Sequence, residues 1–219
     1  WLLVHIIEGS SGPTELHVKD LERDTPFVTA VADGVSESWA EFAGDQLVIT
    51  TNLDAPNKRV VLADPATPTV EHWREVIAER DDVVVQDARG RGGKLAVSYL
   101  QDVQPRVAIH ELDGALVRDI GFDTIGSVGG GAGRWKSAEA FFTFESFHVP
   151  STIYRYDIDT GDQSVWASVD APVDASAYVG TADYAATSGR AHTTNPPQQR
   201  ESANREQRGV RPTPVKLVS

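Results

Sequence analysis

Cysteine and methionine are both absent from the 219 residues. Without cysteine there are no disulfides, thiolate metal sites or cysteine nucleophile, so a metal or nucleophile would have to come from histidine, carboxylates, serine or threonine. Basic residues are scarce as well: 20 Lys+Arg face 32 Asp+Glu, for a formal net charge of −12 and a pI near 4.8. Nucleic acids and anionic membranes both need a basic footprint to release counterions, which argues against either as a partner. Long apolar runs are missing too. No stretch approaches the roughly eighteen apolar residues of a membrane span, and the opening WLLVHII has neither the length nor the basic flank of a signal peptide. The chain therefore reads as a segment of something longer. What it does have is 40% hydrophobic residues, enough for a real core.

The charge is unevenly spread. Residues 1–179 hold 14 Lys+Arg and 29 Asp+Glu, whereas residues 180–219 hold 6 and 3. The latter segment has one aromatic residue and no apolar periodicity, and it is rich in Pro, Gln, Arg and Ser, so burial cannot offset its ordering entropy. Two domains are expected: a folded unit over 1–179 and a disordered or out-of-frame tail over 180–219.

Within the folded unit a repeat stands out. LLVHIIEGSSGPTELHVKD, LVITTNLDAPNKRVVLAD, LAVSYLQDVQPRVAIHELD and FFTFESFHVPSTIYRYDID each run from an apolar strand through a Pro-containing loop to an alternating strand ending near Asp. The prolines Pro13, Pro56, Pro105 and Pro150 are spaced by 43, 49 and 45 residues, the length of one four-stranded propeller blade. Each copy reads as a hairpin. Leu95, Val97 and Tyr99 share one face, and alternation sets Val107 and Ile109 opposite Arg106 and His110, which puts His110 on the solvent face. The run Phe141 to Phe144 is apolar on both sides, as expected of a strand sandwiched between blades. Shorter strands at Phe27 to Ala32, Trp73 to Ala78 and Ala115 to Phe122 would complete the blades. The fold class expected is all-β, a propeller fragment of about four four-stranded blades of a seven-bladed ring, with a disordered C-terminal tail. Such an arc exposes a blade face at each end, which predicts marginal stability or aggregation unless something covers them.

Chemical motifs are few. There is no Gly-x-Ser-x-Gly elbow, and the glycine run Gly126 to Gly133 lacks the Gly-Lys-Ser/Thr of a phosphate loop, so it reads as a tight connection into a blade strand. The histidines at 5, 17, 72, 110, 148 and 192 have no metal-ligand spacing, and His110-Glu111 lacks the second histidine of a zinc helix motif. No metal and no cofactor are implied. Arg89-Gly90-Arg91-Gly92-Gly93 is read as an exposed blade loop. Asp20, Asp64 and Asp113 follow the second strand of each repeat as turn formers before any chemistry. Neither a Trp-Asp dipeptide nor a double glycine recurs once per repeat, setting aside the Trp-Asp and kelch propellers.

The runs TTNLDAPNKRVVLADP, SYLQDVQPRVAIHELDGALVRDIGF, GSVGGGAG, FTFESFHVPSTIYRYDI and DASAYV resemble, in order and spacing, the later propeller blades of prolyl oligopeptidases, serine endopeptidases that cleave short peptides after proline. The resemblance covers Trp1 to Val179. It implies an α/β-hydrolase domain of the same parent chain carrying the Ser, Asp and His triad, none of which lies in this chain, and a cytoplasmic location. The propeller would gate entry of short proline-containing peptides. Ile7-Glu8-Gly9-Ser10 corresponds to a substrate-facing stretch, with Glu8 and Ser10 as candidates; Glu8 and Gly9 match the pattern, whereas Ile7 stands where the family pattern places an arginine. The competing expectation is a stand-alone propeller acting as a protein-binding platform.

Overall fold

The computed structural model describes residues 1–9, 12–102, 104–122, 126–147 and 149–169. The expected boundary at 179/180 and the tail lie outside them. Among the described residues fifteen strands form four antiparallel sheets, each ordered as the strands occur in sequence. The first sheet has three, β1 (Leu2–Ile7), β2 (Thr14–Lys19) and β3 (Val28–Val31). The second holds β4 (Ser38–Ala43), β5 (Gln46–Thr51), β6 (Arg59–Ala63) and β7 (Arg74–Ile77). The third holds β8 (Val83–Arg91), β9 (Lys94–Gln101), β10 (Gln104–His110) and β11 (Leu116–Ile120). The fourth holds β12 (Ser127–Gly133), β13 (Glu139–Glu145), β14 (Thr152–Asp157) and β15 (Gln163–Ser168). Helical structure among the described residues is one 3₁₀ turn, Val70–His72, leading into β7.

The four repeat hairpins are β1–β2, β5–β6, β9–β10 and β13–β14. Their turns explain themselves locally. Between β8 and β9, Arg91 pairs with Lys94 across Gly92 and Gly93, both at positive φ, as a two-residue hairpin that matches strand twist requires. Asp20, Asp64 and Asp113 each accept backbone N–H bonds from residues two or three further on, so they are indeed turn formers. Pro105 falls inside β10 rather than in the loop. The missing N–H is tolerated there because β11 pairs with β10 only from Val107 onward.

Stability comes from sheet against sheet. Leu16 and Val18 meet Leu47, Ile49 and Val61; Val48, Val60 and Leu62 meet Val85, Leu95 and Val97; Ala96, Val107 and Ile109 meet Phe142, Tyr156 and Ile158. Each fully buried Val, Leu or Ile contributes about 2 kcal/mol. The first strands also approach one another: β4 packs on β8, and β8 on β12. There Arg91, 7% exposed, donates to Gly131 O and pairs with Glu41 at 2.7 Å, while Gly90 N–H donates to the same carboxylate. One guanidinium thus ties three sheets.

Three expectations are corrected. Arg89 to Arg91, read as part of an exposed loop, is the end of β8, with Gly90 and Arg91 buried and only Gly92 and Gly93 left in the turn. The glycine run is strand β12 itself, not a connection; its register shifts between Gly130 and Ala132, a bulge with Gly130 and Gly131 at positive φ. And Phe141 to Phe144 is not buried on both faces. Phe142 and Phe144 face the third sheet, while Thr143 is exposed and Phe141 is half-buried beside Trp166.

Candidate functional site

Glu8 lies exposed in the β1–β2 loop, next to Gly9 at φ 78. Ser10 lies outside the described residues. The loop's far end is anchored where Thr14 N–H donates to Ser36 O. Ser36 begins a chain of buried hydroxyls: its Oγ lies 2.7 Å from Ser38 Oγ, which lies 2.7 Å from Thr51 Oγ1, which accepts Leu53 N–H. Asn52 Oδ1 accepts Glu37 N–H, and Lys58 reaches the Glu37 carboxylate at 3.6 Å. From the other side, Asn57 N–H donates to Glu79, its amide to Arg80 O, and its carbonyl accepts Val85 N–H. The loop TNLDAPNK, one of the runs that carry the resemblance, therefore straps the second sheet to the links entering and leaving it. This fixes the base on which the Glu8 loop stands.

Beside it, His5 stacks on Trp39 with ring centroids 4.3 Å apart, and its Nε2 accepts Ala40 N–H. Burial lowers the His5 pKa below its usual value. On the outward face of the first sheet, Thr29 Oγ1, His17 and Glu15 form a relay at 3.2 and 2.9 Å. It has the order of a catalytic relay, but it lies flat on the sheet, and β2, which carries His17 and Glu15, spends its N–H groups on the ladders with β1 and β3 rather than on an oxyanion.

A second polar constellation escaped the sequence. His110, expected on the solvent face, is only 8% exposed. Register shifts at Ile109/His110 in the β10–β11 pairing, and alternation stops predicting exposure where the sheets cover both faces of β10. Its Nδ1 donates to Gly114 O at 2.9 Å, leaving Nε2 to accept the Tyr99 hydroxyl at 2.7 Å. Burial pushes the Tyr99 pKa up to about 12, helped by Asp119 and opposed by Arg80. The one legible signal was Tyr99 on the same face as Val97. Among the described residues no group of three or more His, Asp or Glu is arranged to hold a metal ion, and no helix is long and apolar enough to cross a membrane.

The comparisons agree on one family. The model described as the prolyl oligopeptidase N-terminal β-propeller domain matches residues 1–169. Prolyl endopeptidase of Elizabethkingia meningoseptica is 30% identical over 167 residues, 76% of this chain and 23% of that protein. The dual function macrocyclase-peptidase POPB of Amanita bisporigera is 30% identical over 121 residues, 54% of this chain and 16% of its own. A solved prolyl endopeptidase structure superposes with TM-score 0.72 at 28% identity, over 79% of this chain and 25% of that one. Prolyl oligopeptidase B of Galerina marginata, bound to a 35mer hydrolysis and macrocyclization substrate, shares the fold with TM-score 0.68 at 22% identity, over 80% of this chain and 26% of its own. The chain thus spans about a quarter of the length of these prolyl endopeptidases. With four successive antiparallel sheets and this match across all of them, the chain belongs to the prolyl oligopeptidase family, as part of its N-terminal β-propeller domain.

Proposed function

We propose that these sheets form the substrate-gating part of a prolyl-oligopeptidase-like serine endopeptidase that hydrolyses short peptides after proline. The observation that carries the reading is the family match from residue 1 to residue 169. In this reading an α/β-hydrolase domain of the same parent chain supplies an activated serine, a histidine base and an oxyanion hole, chemistry that needs no cofactor. The sheets wall the cavity, admit short proline-containing peptides and exclude folded proteins by size. Glu8 and Ser10, on the β1–β2 loop, meet the substrate, and the exposed Glu8 carboxylate suits a peptide's positive amino end. The cytoplasm is the compartment we assign.

The test is hydrolysis of a chromogenic peptide with proline before the leaving group, by this chain alone and by its reading frame extended downstream. Activity confined to the extended protein, and lost when its elbow serine is changed to alanine, is the expected outcome. An inactive extended protein overturns the reading. In the active protein Glu8→Gln raises KM for peptides with a free amino terminus and leaves kcat unchanged.

A further inference from the structure

Between the second and third sheets lies a two-lobed cleft. One lobe, about 250 Å³, is lined by Val76, Ile77 and Val85; the other, about 220 Å³, opens between Arg106 and Asp119. The lobes share Arg80, Val83, Tyr99 and His110 as walls. Beyond these shared walls one lobe is floored by aliphatic side chains and the other flanked by two charges of opposite sign, with a hydroxyl and an imidazole between them.

Two of the second lobe's three charges, on the exposed Arg106 and Asp119, have no partner among the described residues. Among the described residues most Lys and Arg side chains are held by a carboxylate, including Arg80 at the cleft, which grips Asp82 through two hydrogen bonds of 3.0 and 2.6 Å. The side chains of Arg106 and Asp119 have no ion pair or hydrogen bond among the described residues, to each other or to anything else. They stand as diagonal neighbours on β10 and β11: Asp119 is opposite Ala108, and Arg106 is two residues along from it. Such a diagonal places Cα atoms roughly 7–8 Å apart, far enough for one small zwitterion to sit between the two charges.

We propose that this cleft binds a free apolar α-amino acid, its carboxylate on the Arg106 guanidinium, its ammonium on Asp119 and its side chain in the lobe floored by Val76, Ile77 and Val85. The Tyr99 oxygen donates its proton to His110 and keeps lone pairs free to accept from the ammonium. A carboxylate alone would meet the repulsion of Asp119, and an amine alone that of Arg106. Only a ligand carrying both charges next to an apolar body satisfies every wall. The proposal does not depend on the peptidase reading, and neither stands or falls with the other.

The test titrates the full chain with L-phenylalanine, with hydrocinnamate, which lacks the ammonium, and with phenethylamine, which lacks the carboxylate. The readout is the methyl NMR signals of Ile77, Val83 and Val85. Saturable shifts are expected for L-phenylalanine, with affinity at least about tenfold above either truncated ligand, the loss that follows from removing a charge-assisted contact. Arg106→Gln should reduce L-phenylalanine to the affinity of phenethylamine, and Asp119→Asn to that of hydrocinnamate. If either variant fails to fold, the three ligands on the unaltered chain decide alone. Equal affinities for the three, unchanged binding by folded variants, or no saturable shift up to about 10 mM overturns the proposal.

Discussion

Phe141 and Phe142 are adjacent on β13 and live in different worlds. Phe142 is buried against the third sheet, in a seam of Ala96, Val107, Ile109 and Tyr156. Phe141 points the other way, to a face that meets no further sheet among the described residues, where it touches Trp166 near the Glu139–Arg155 ion pair at 2.6 Å. The first sheet shows the same division. Leu16 and Val18 enter a seam, while Glu15, His17 and Lys19 alternate with them on the outward face opposite Ile6, Val4 and Leu2. Seams between sheets are mostly aliphatic with a few aromatic side chains; the outer faces mix apolar and charged side chains from one strand template. The lesson is that a blade face is not apolar because it is a strand of this repeat, but because a neighbouring sheet removes it from water.

That contrast can be broken most sharply at β13. Phe142→Ala is expected to cost about 4 kcal/mol in the free energy of unfolding, through lost burial plus a cavity, whereas Phe141→Ala costs less than about 1 kcal/mol. Denaturant titration of both variants checks this, and equal losses would mean the outer face is covered in solution. Next comes the point where three sheets meet. Arg91→Ala leaves the Glu41 carboxylate unpaired beside Gly90 and should cost about 3 kcal/mol, seen in the same titration. Overpacking a seam is a milder insult. A Cβ at Gly90 would sit 2.6 Å from Ala43 Cβ and 3.0 Å from the Trp135 ring, so Gly90→Val should cost about 2 kcal/mol and lower the thermal midpoint. On the outer face Ile6→Thr should change stability by no more than about 0.5 kcal/mol while reducing self-association in analytical ultracentrifugation.

The smallest effect is a slope. The folded state holds the His5 pKa below the ordinary value of 6.5, so the unfolded chain binds more protons. The stabilisation from His5 is complete above about pH 6.5 and is lost as the pH falls through that value towards the lower folded-state pKa. Protonation would also take away the acceptor of Ala40 N–H. His5→Gln should flatten this part of the stability profile, measured by denaturation at successive pH values; an unchanged slope would separate His5 from the seam.

Much of this was legible in the residues. The spacing of Pro13, Pro56, Pro105 and Pro150 located four hairpins, and the aspartates closing them act as turn formers. The resemblance carried by TNLDAPNK and the Phe142–Ile158 segment led to the correct family. The errors share one origin. Alternation places His110 in solvent, neighbouring residues place Phe141 in a seam, and glycine content gives the Gly126 to Gly133 run and the Arg89 to Arg91 segment no strand at all. Alternation describes one sheet, and two sheets stacked on β10 bury both of its faces. A run of glycines carries no side-chain signal, yet β13 supplies its hydrogen-bonding partner.

By itself the sequence determined the repeat, its hairpins, the strand-forming segments and the family, because these depend on local periodicity, turn chemistry and residue order. Only the tertiary structure decided which of two alternating faces is buried, that Arg91 joins three sheets, and that Tyr99, His110, Arg106 and Asp119 share one cleft. Those outcomes depend on which sheet stands next to which, and strands that lie tens of residues apart in sequence leave no mark of that neighbourhood in any short window of the chain.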